Sequence, residues 1–129
     1  MKKIGNIEID FDHDNILPGL NKEDLAELGK EDKPVLLKKS VIERNMARHP
    51  DIGKEEFAKL LAETLYSPDF LLPERAKPEK ASYRHFIKYL ERDNSIVLVE
   101  MSDIKKNYEV VHLQKVRSRN LKSLIKRNK

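Results

Sequence analysis

The chain has 129 residues and a formal net charge of +4, with 39% hydrophobic and 37% charged residues. This length suits one domain with a modest core and a heavily charged surface. The absence of cysteine excludes a disulfide scaffold, a cysteine-ligated zinc site and a cysteine nucleophile, and it fits the cytoplasm as the expected location. No apolar stretch approaches the ~20 residues that span a bilayer, so no membrane partner is predicted.

The charge is distributed unevenly along the chain. Residues 1–33 hold five lysines against nine acidic residues, a net charge of −4, whereas residues 104–129 hold nine basic residues against one glutamate, a net charge of +8. A basic cluster of this kind favours a polyanion such as RNA or DNA. A solvated, lysine-rich helix face is the alternative interpretation.

Residues 1–33 are predicted to form an N-terminal arm or accessory segment. Apolar residues alternate with polar ones over Ile7–Phe11, which predicts a short strand or extended arm. Asn21 and Gly29 bracket a short predicted helix over Lys22–Leu28, as an N-cap residue and a helix-terminating glycine do.

Two longer helices are predicted next. Pro34 suits the first turn of a helix, and that helix should end by His49, because Pro50 disfavours helical geometry in the residue before it. The second helix begins near Lys54 and carries an apolar stripe typical of a buried face. The segment Phe70–Pro73 is expected to be an apolar connector.

From Ser82 onwards the sequence favours β-strands. Three strands are predicted over Ser82–Leu90, Ser95–Met101 and Tyr108–Val116, and a terminal helix over Ser118–Arg127, capped by Ser118 or Asn120. The predicted fold class is therefore α+β, with two N-terminal helices packed on a small antiparallel β-meander and a C-terminal helix, over residues 34–129.

Common catalytic motifs are missing from the sequence. It has no phosphate-binding glycine loop and no nucleophile elbow, which excludes the enzyme classes that depend on them. Asp10, Asp12 and Asp14 resemble the start of a calcium loop, but the glycine at the sixth position and the closing glutamate are missing. We therefore expect a solvated turn there, and neither a metal nor any other cofactor.

Three histidines are the candidates for acid–base chemistry, because imidazole titrates near neutral pH. His49 ends the first long helix, where capping by an imidazolium is the alternative role. His85 and His112 lie on the first and third strands of the meander, and side chains from different strands converge on one sheet face. A packed position in the core is the alternative for each of these two.

Aromatic and cationic residues alternate in Tyr83–Tyr89. On a strand, Arg84 and Lys88 share one face with Phe86, while His85 lies on the other. Such a strand suits base stacking beside phosphate binding, and an amphipathic edge strand is the alternative.

The order of these elements resembles the phage-associated barnase–EndoU–colicin–RelE-like nuclease domains, found in prophage and mobile-element proteins. The resemblance covers residues 34–129. It is carried by these segments: Arg48-His49-Pro50-Asp51-Ile52, Tyr66-Ser67-Pro68-Asp69-Phe70, Tyr83-Arg84-His85-Phe86, the apolar strand Ile96–Met101, and Tyr108-Glu109-Val110-Val111-His112-Leu113 before Ser118.

The resemblance implies metal-independent cleavage of RNA, in which the 2′-hydroxyl attacks the adjacent phosphorus. An acid and a base are needed, together with cations that stabilise the added negative charge. The catalytic candidates are His49, His85, His112 and Arg84. The candidates for binding nucleic acid are Lys88, Lys115, Arg117, Ser118 and Lys122.

Two other kinds of function are compatible with the same sequence. One is a nucleic-acid-binding module without catalytic activity that uses the basic C-terminal helix. The other is a protein-interaction module, in which the acidic arm covers the basic end or docks an immunity or mobile-element partner protein.

Overall fold

The computed structural model describes residues 7–74, 79 and 81–128, which form six β-strands and four α-helices. In chain order these are β1 (Asn15–Leu17), α1 (Lys22–Leu28), β2 (Val35–Leu37), α2 (Lys39–Arg48), α3 (Lys54–Tyr66), β3 (Phe70–Pro73), β4 (Tyr83–Tyr89), β5 (Asn94–Glu100), β6 (Tyr108–Val116) and α4 (Ser118–Arg127). No helix within the described ranges combines the length and apolarity needed to cross a bilayer.

All six strands belong to one mixed sheet with the order β1-β2-β6-β5-β4-β3. The β4–β5–β6 meander forms its centre, with Phe86 opposite Val97 and Val97 opposite Leu113. β2 pairs with β6 in parallel, with Val35 opposite Tyr108, whereas every other pair is antiparallel.

The prediction of two N-terminal helices on a small meander is wrong. The sheet has six strands, and the helices are interspersed among them. Pro34 precedes a strand and not a helix, and Phe70–Pro73 pairs with β4. β1, β2 and β3 span only three or four residues each, so they are too short for a period of two to appear in the sequence.

The two faces of the sheet are covered by different helices. The main core joins Val97 and Leu113 of the sheet to Phe57 and Leu61 of α3, and Ser95 hydrogen-bonds Thr64 of α3 at 2.8 Å. On the opposite face a smaller cluster packs α4 against the sheet; its fully buried members are Leu72, Ile87, Ile96 and Leu121. The meander is therefore buried on both faces, which explains the continuous apolar run Ile96–Val99 in β5.

The N-terminal segment contributes to the main core. β1 pairs with β2, and Leu17, Leu20 and Leu25 are buried. α1 forms as predicted, and Gly29 ends it with φ of 67°, a left-handed conformation that favours glycine. The predicted strand at Ile7–Phe11 is absent, and the division of the chain at residue 33 stays a prediction.

Candidate functional site

The helix α2 lies beside β6 where the strand β2 ends. β2 pairs with β6 only as far as Leu36 opposite Glu109, so the backbone of β6 beyond that point lacks a strand partner on this edge. Side chains of α2 form hydrogen bonds with this part of the β6 backbone instead. Arg44 Nη2 donates to the Val111 carbonyl at 3.1 Å, and the Leu113 N–H donates to Asn45 Oδ1 at 2.8 Å. The edge is thereby satisfied without another strand.

The strand β6 contains a β-bulge next to His112. Val110 lies opposite Val99 and His112 lies opposite Leu98, so Val111 is an extra residue in the pairing. Val110 and Leu113 are both buried in the main core although they are three positions apart, an odd spacing that a regular strand would place on opposite faces. The bulge lets Val110 and Leu113 share the core face, and His112, adjacent to Leu113 in the regularly paired part of β6, lies on the opposite face beside the end of α2.

Six residues from α2, its C-terminal end and β6 line a pocket of about 130 Å³; they are Arg44, Asn45, Arg48, His49, His112 and Gln114. His49 occupies the C-cap position of α2, where its backbone N–H donates to the Asn45 carbonyl at 2.9 Å. The lining contains two imidazoles and two guanidinium groups but no carboxylate. Arg44 and Arg48 form no ion pair among the described residues. The pocket therefore has the charge to accept an anion.

The side chain of Asn45 is the one deeply buried polar group in this lining, at 3% exposure. Its Oδ1 accepts the Leu113 N–H, and its Nδ2 has no hydrogen-bond partner among the described residues. Native proteins leave few buried donors unpaired, because the desolvation of each costs free energy that no bond returns.

His85 lies outside this pocket. It is buried on β4, its Nδ1 is 3.3 Å from the Leu72 carbonyl, and its Nε2 is 3.6 Å from Glu74 Oε2. Burial holds the pKa of His85 below its ordinary value, and the Arg127 charge acts in the same direction, whereas Glu74 and the Leu72 carbonyl oppose them. This environment is that of a packed histidine.

Arg84 also lies away from the pocket, on β4. Its Nη1 donates to the carbonyls of Ala81 and Tyr83, at 2.8 and 3.0 Å. Of the four predicted catalytic residues, the structure thus brings together His49 and His112 only.

The predicted nucleic-acid-binding residues divide into two groups. Lys88 Nζ donates to the Ser67 carbonyl at 2.9 Å, and Lys115 Nζ lies 3.2 Å from Glu56 Oε2, so both contact α3 or the residue that follows it. The other three residues, Arg117, Ser118 and Lys122, are exposed at the start of α4. Ser118 and Lys122 line an open groove of about 410 Å³, together with Tyr89.

Four pocket residues were missed in the sequence: Arg44, Asn45, Arg48 and Gln114. A signal for three of them was present, since Arg44 and Arg48, like Asn45 and His49, are four positions apart and therefore adjacent on one helix surface. Gln114 lies two positions after His112 and therefore on the same face of β6, but a glutamine on a strand gives no chemical reason to single it out.

A family model described as large polyvalent protein-associated domain 13 matches residues 8–128. No curated protein and no solved structure matches the chain significantly.

Proposed function

This chain belongs to the large polyvalent protein-associated domain 13 family, and for this member we propose the function of a metal-independent RNA endonuclease. The family description is compatible with the phage or mobile-element origin that the resemblance implies. The observation that supports the nuclease proposal is the pocket. Its lining includes His49 and His112, which are far apart in the chain, together with two arginines.

The reaction that suits this pocket is an internal transfer at phosphorus. One imidazole accepts the proton of the 2′-hydroxyl while O2′ forms a bond to phosphorus; the P–O5′ bond breaks, and the other imidazole gives a proton to the departing O5′. The products are a 2′,3′-cyclic phosphate and a 5′-hydroxyl. Arg44 and Arg48 balance the negative charge that builds on the non-bridging oxygens.

The test is cleavage of an oligoribonucleotide by the purified chain in the presence of a chelator. We expect products with 2′,3′-cyclic phosphate ends, and a 2′-deoxy substitution at the cleaved nucleotide should prevent cleavage. His49→Ala and His112→Ala should each lower the rate about 10²-fold or more, the usual contribution of a general acid or base.

The matched control is His13→Ala. His13 is exposed, pairs with Asp10 at 2.8 Å and does not line the pocket, so its replacement should leave the rate unchanged. Cleavage that persists undiminished in both pocket variants would remove the proposed roles of His49 and His112.

A second candidate function is nucleic-acid binding without turnover. It is favoured by the exposed basic residues of α4, which form no ion pair within the described part of the chain; these are Arg119, Lys122, Lys126 and Arg127. Salt-dependent RNA binding by a wild-type protein that never cleaves RNA is the result that selects this candidate.

A further inference from the structure

The amide group of Asn45 is oriented without ambiguity. Only the side-chain oxygen of an asparagine can accept a hydrogen bond, and the Leu113 N–H, 2.8 Å away, therefore identifies Oδ1. The Nδ2 group is then on the other branch of the amide, in a side chain that lines the pocket and is 3% exposed. It offers two N–H donors that no described residue accepts.

We propose that the Asn45 amide is a phosphate-binding group of this pocket, and that its Nδ2 donates to a non-bridging oxygen of the phosphodiester. This inference rests on the proposed function and adds to it a neutral donor that does not come from the histidines or arginines. The anion supplies the acceptor that the buried donor lacks, so the cost of desolvating Nδ2 is already met before the ligand binds.

The hydrogen bond between Asn45 and the Leu113 N–H does not explain why the side chain also carries an amide nitrogen. The Leu113 N–H needs only an acceptor, and Oδ1 alone supplies it. The same contact holds the amide plane fixed, because the backbone of β6 anchors Oδ1 while the buried Nδ2 has no partner among the described residues. A donor fixed in this way needs little reorganisation as charge builds on the phosphate oxygens, which is the property that makes such donors effective in catalysis.

Arg44 differs from Asn45 in this respect. Its guanidinium already donates to the Val111 carbonyl at 3.1 Å, and its side chain is exposed, as is that of Arg48. The arginines therefore supply long-range attraction that solvent screens, whereas the buried amide supplies a short, directional contact.

The experiment is an NMR titration of the full chain with inorganic phosphate, following the side-chain amide of Asn45 and the rings of His49 and His112. In the wild-type protein we expect saturable shifts of all three. Asn45→Ala and Asn45→Asp should each weaken phosphate binding by about tenfold to a hundredfold, as loss of one hydrogen bond to a charged group does.

Two variants are needed because each has a different secondary effect. Asn45→Asp keeps an acceptor for the Leu113 N–H but adds a negative charge, and Asn45→Ala adds no charge but leaves that N–H unpaired. Asn120→Asp, on the exposed surface of α4, is the control for net charge and should bind phosphate as the wild type does. If Asn45→Ala does not fold, the phosphate-induced shift of the wild-type Asn45 amide decides the question.

An unchanged affinity in Asn45→Ala, or an Asn45 amide that phosphate does not shift, overturns the inference. Phosphate binding requires no turnover, so the two proposals fail separately. A protein that binds phosphate through Asn45 but cleaves no RNA keeps the amide's role and loses the nuclease. A protein that cleaves RNA while its phosphate affinity is independent of Asn45 keeps the nuclease and loses the amide's role.

Discussion

His85 and His112 are partners of the same residue, Leu98, yet they lie in different environments. His85 is buried beside the Leu72 carbonyl and Glu74, whereas His112 is half-buried at the pocket. Sequence alone gives both the same interpretation, a histidine on a strand of the meander. What separates them is the neighbour: His85 has β3 on its outer side, and His112 has the end of α2.

The burial of His85 predicts a pH dependence of stability. Because its pKa in the folded protein is lowered from 6.5, the unfolded chain binds the proton more tightly. The free energy of unfolding should therefore fall as the pH drops through the unfolded pKa towards the folded one, and this contribution should be fully present above 6.5. Urea denaturation of the wild type and of His85→Gln, at pH 8 and at pH 5, measures it.

The difference in stability between these two proteins should be smaller at pH 5 than at pH 8, since the variant has no imidazole to protonate. A difference that is the same at both pH values would show that His85 does not titrate differently in the folded and unfolded states.

At the scale of elements, the apolar and the basic residues of α4 lie on different faces of the helix. Leu121, Leu124 and Ile125 pack on the sheet, and the basic residues face solvent. If α4 binds the phosphates of RNA, Lys122→Gln/Lys126→Gln should weaken binding of a 2′-O-methyl oligoribonucleotide, which cannot be cleaved. Each phosphate contact to a single strand contributes roughly 0.7 to the slope of log affinity against log salt. Loss of two contacts should therefore reduce the magnitude of this slope by about 1.4.

The matched control is Lys22→Gln/Lys59→Gln, which removes the same charge from exposed positions on α1 and α3. If both double variants reduce the salt dependence equally, the effect comes from net charge and α4 is not the binding surface.

The elements that the sequence predicts well are the ones with several repeats of their period. The helices α3 and α4 and the meander strands lie near their predicted bounds, because each carries an apolar stripe or an apolar run over seven or more residues. β2 was mistaken for the start of a helix, since three residues after Pro34 carry no period and its partner, β6, lies far along the chain. The α+β class is confirmed, but the predicted arrangement of two N-terminal helices on a small meander is wrong for this reason.

The sequence identifies two of the six pocket residues but does not predict which of the candidates lie together. His49 and His112 were named from the properties of imidazole. The bulge at Val111 was not predicted, because the sequence around it contains no glycine or other residue that marks an irregular strand. The bulge allows Val110 and Leu113 to lie in the main core while His112, between them in the chain, lies on the other face of the sheet.

On the scale of the whole molecule, polar contacts join the N-terminal segment to the rest of the chain. The Tyr66 hydroxyl donates a hydrogen bond to the Pro18 carbonyl at 2.6 Å, and the Tyr108 hydroxyl donates one to the Glu31 carbonyl at 2.6 Å. Lys33, at 9% exposure, donates to three backbone carbonyls at 2.7 to 3.2 Å, those of Ser102, Asp103 and Lys105. A segment held in this way is poorly placed to act as a removable lid over α4.

Deletion of residues 1–33 should therefore destabilise the remaining chain. The deletion removes β1 and three buried leucines, and truncation of one such leucine, as in Leu20→Ala, usually costs about 2–5 kcal/mol. Thermal unfolding followed by circular dichroism measures both changes. Ile16→Ala is the control, because Ile16 lies on β1 with 61% exposure and should cost little. A shortened chain that unfolds as cooperatively and at the same temperature as the full one would support the predicted boundary at residue 33.

The parallel pairing of β2 with β6 also sets the order of events during synthesis. β2 and α2 are synthesised before α3, β3, β4 and β5, and the strand that both of them contact, β6, follows all of these elements. Until β6 is made, the chain lacks His112 and the strand whose backbone Arg44 and Asn45 contact. A chain that ends before β6 therefore lacks one of the two imidazoles that the proposed reaction requires, and we expect it to cleave no RNA.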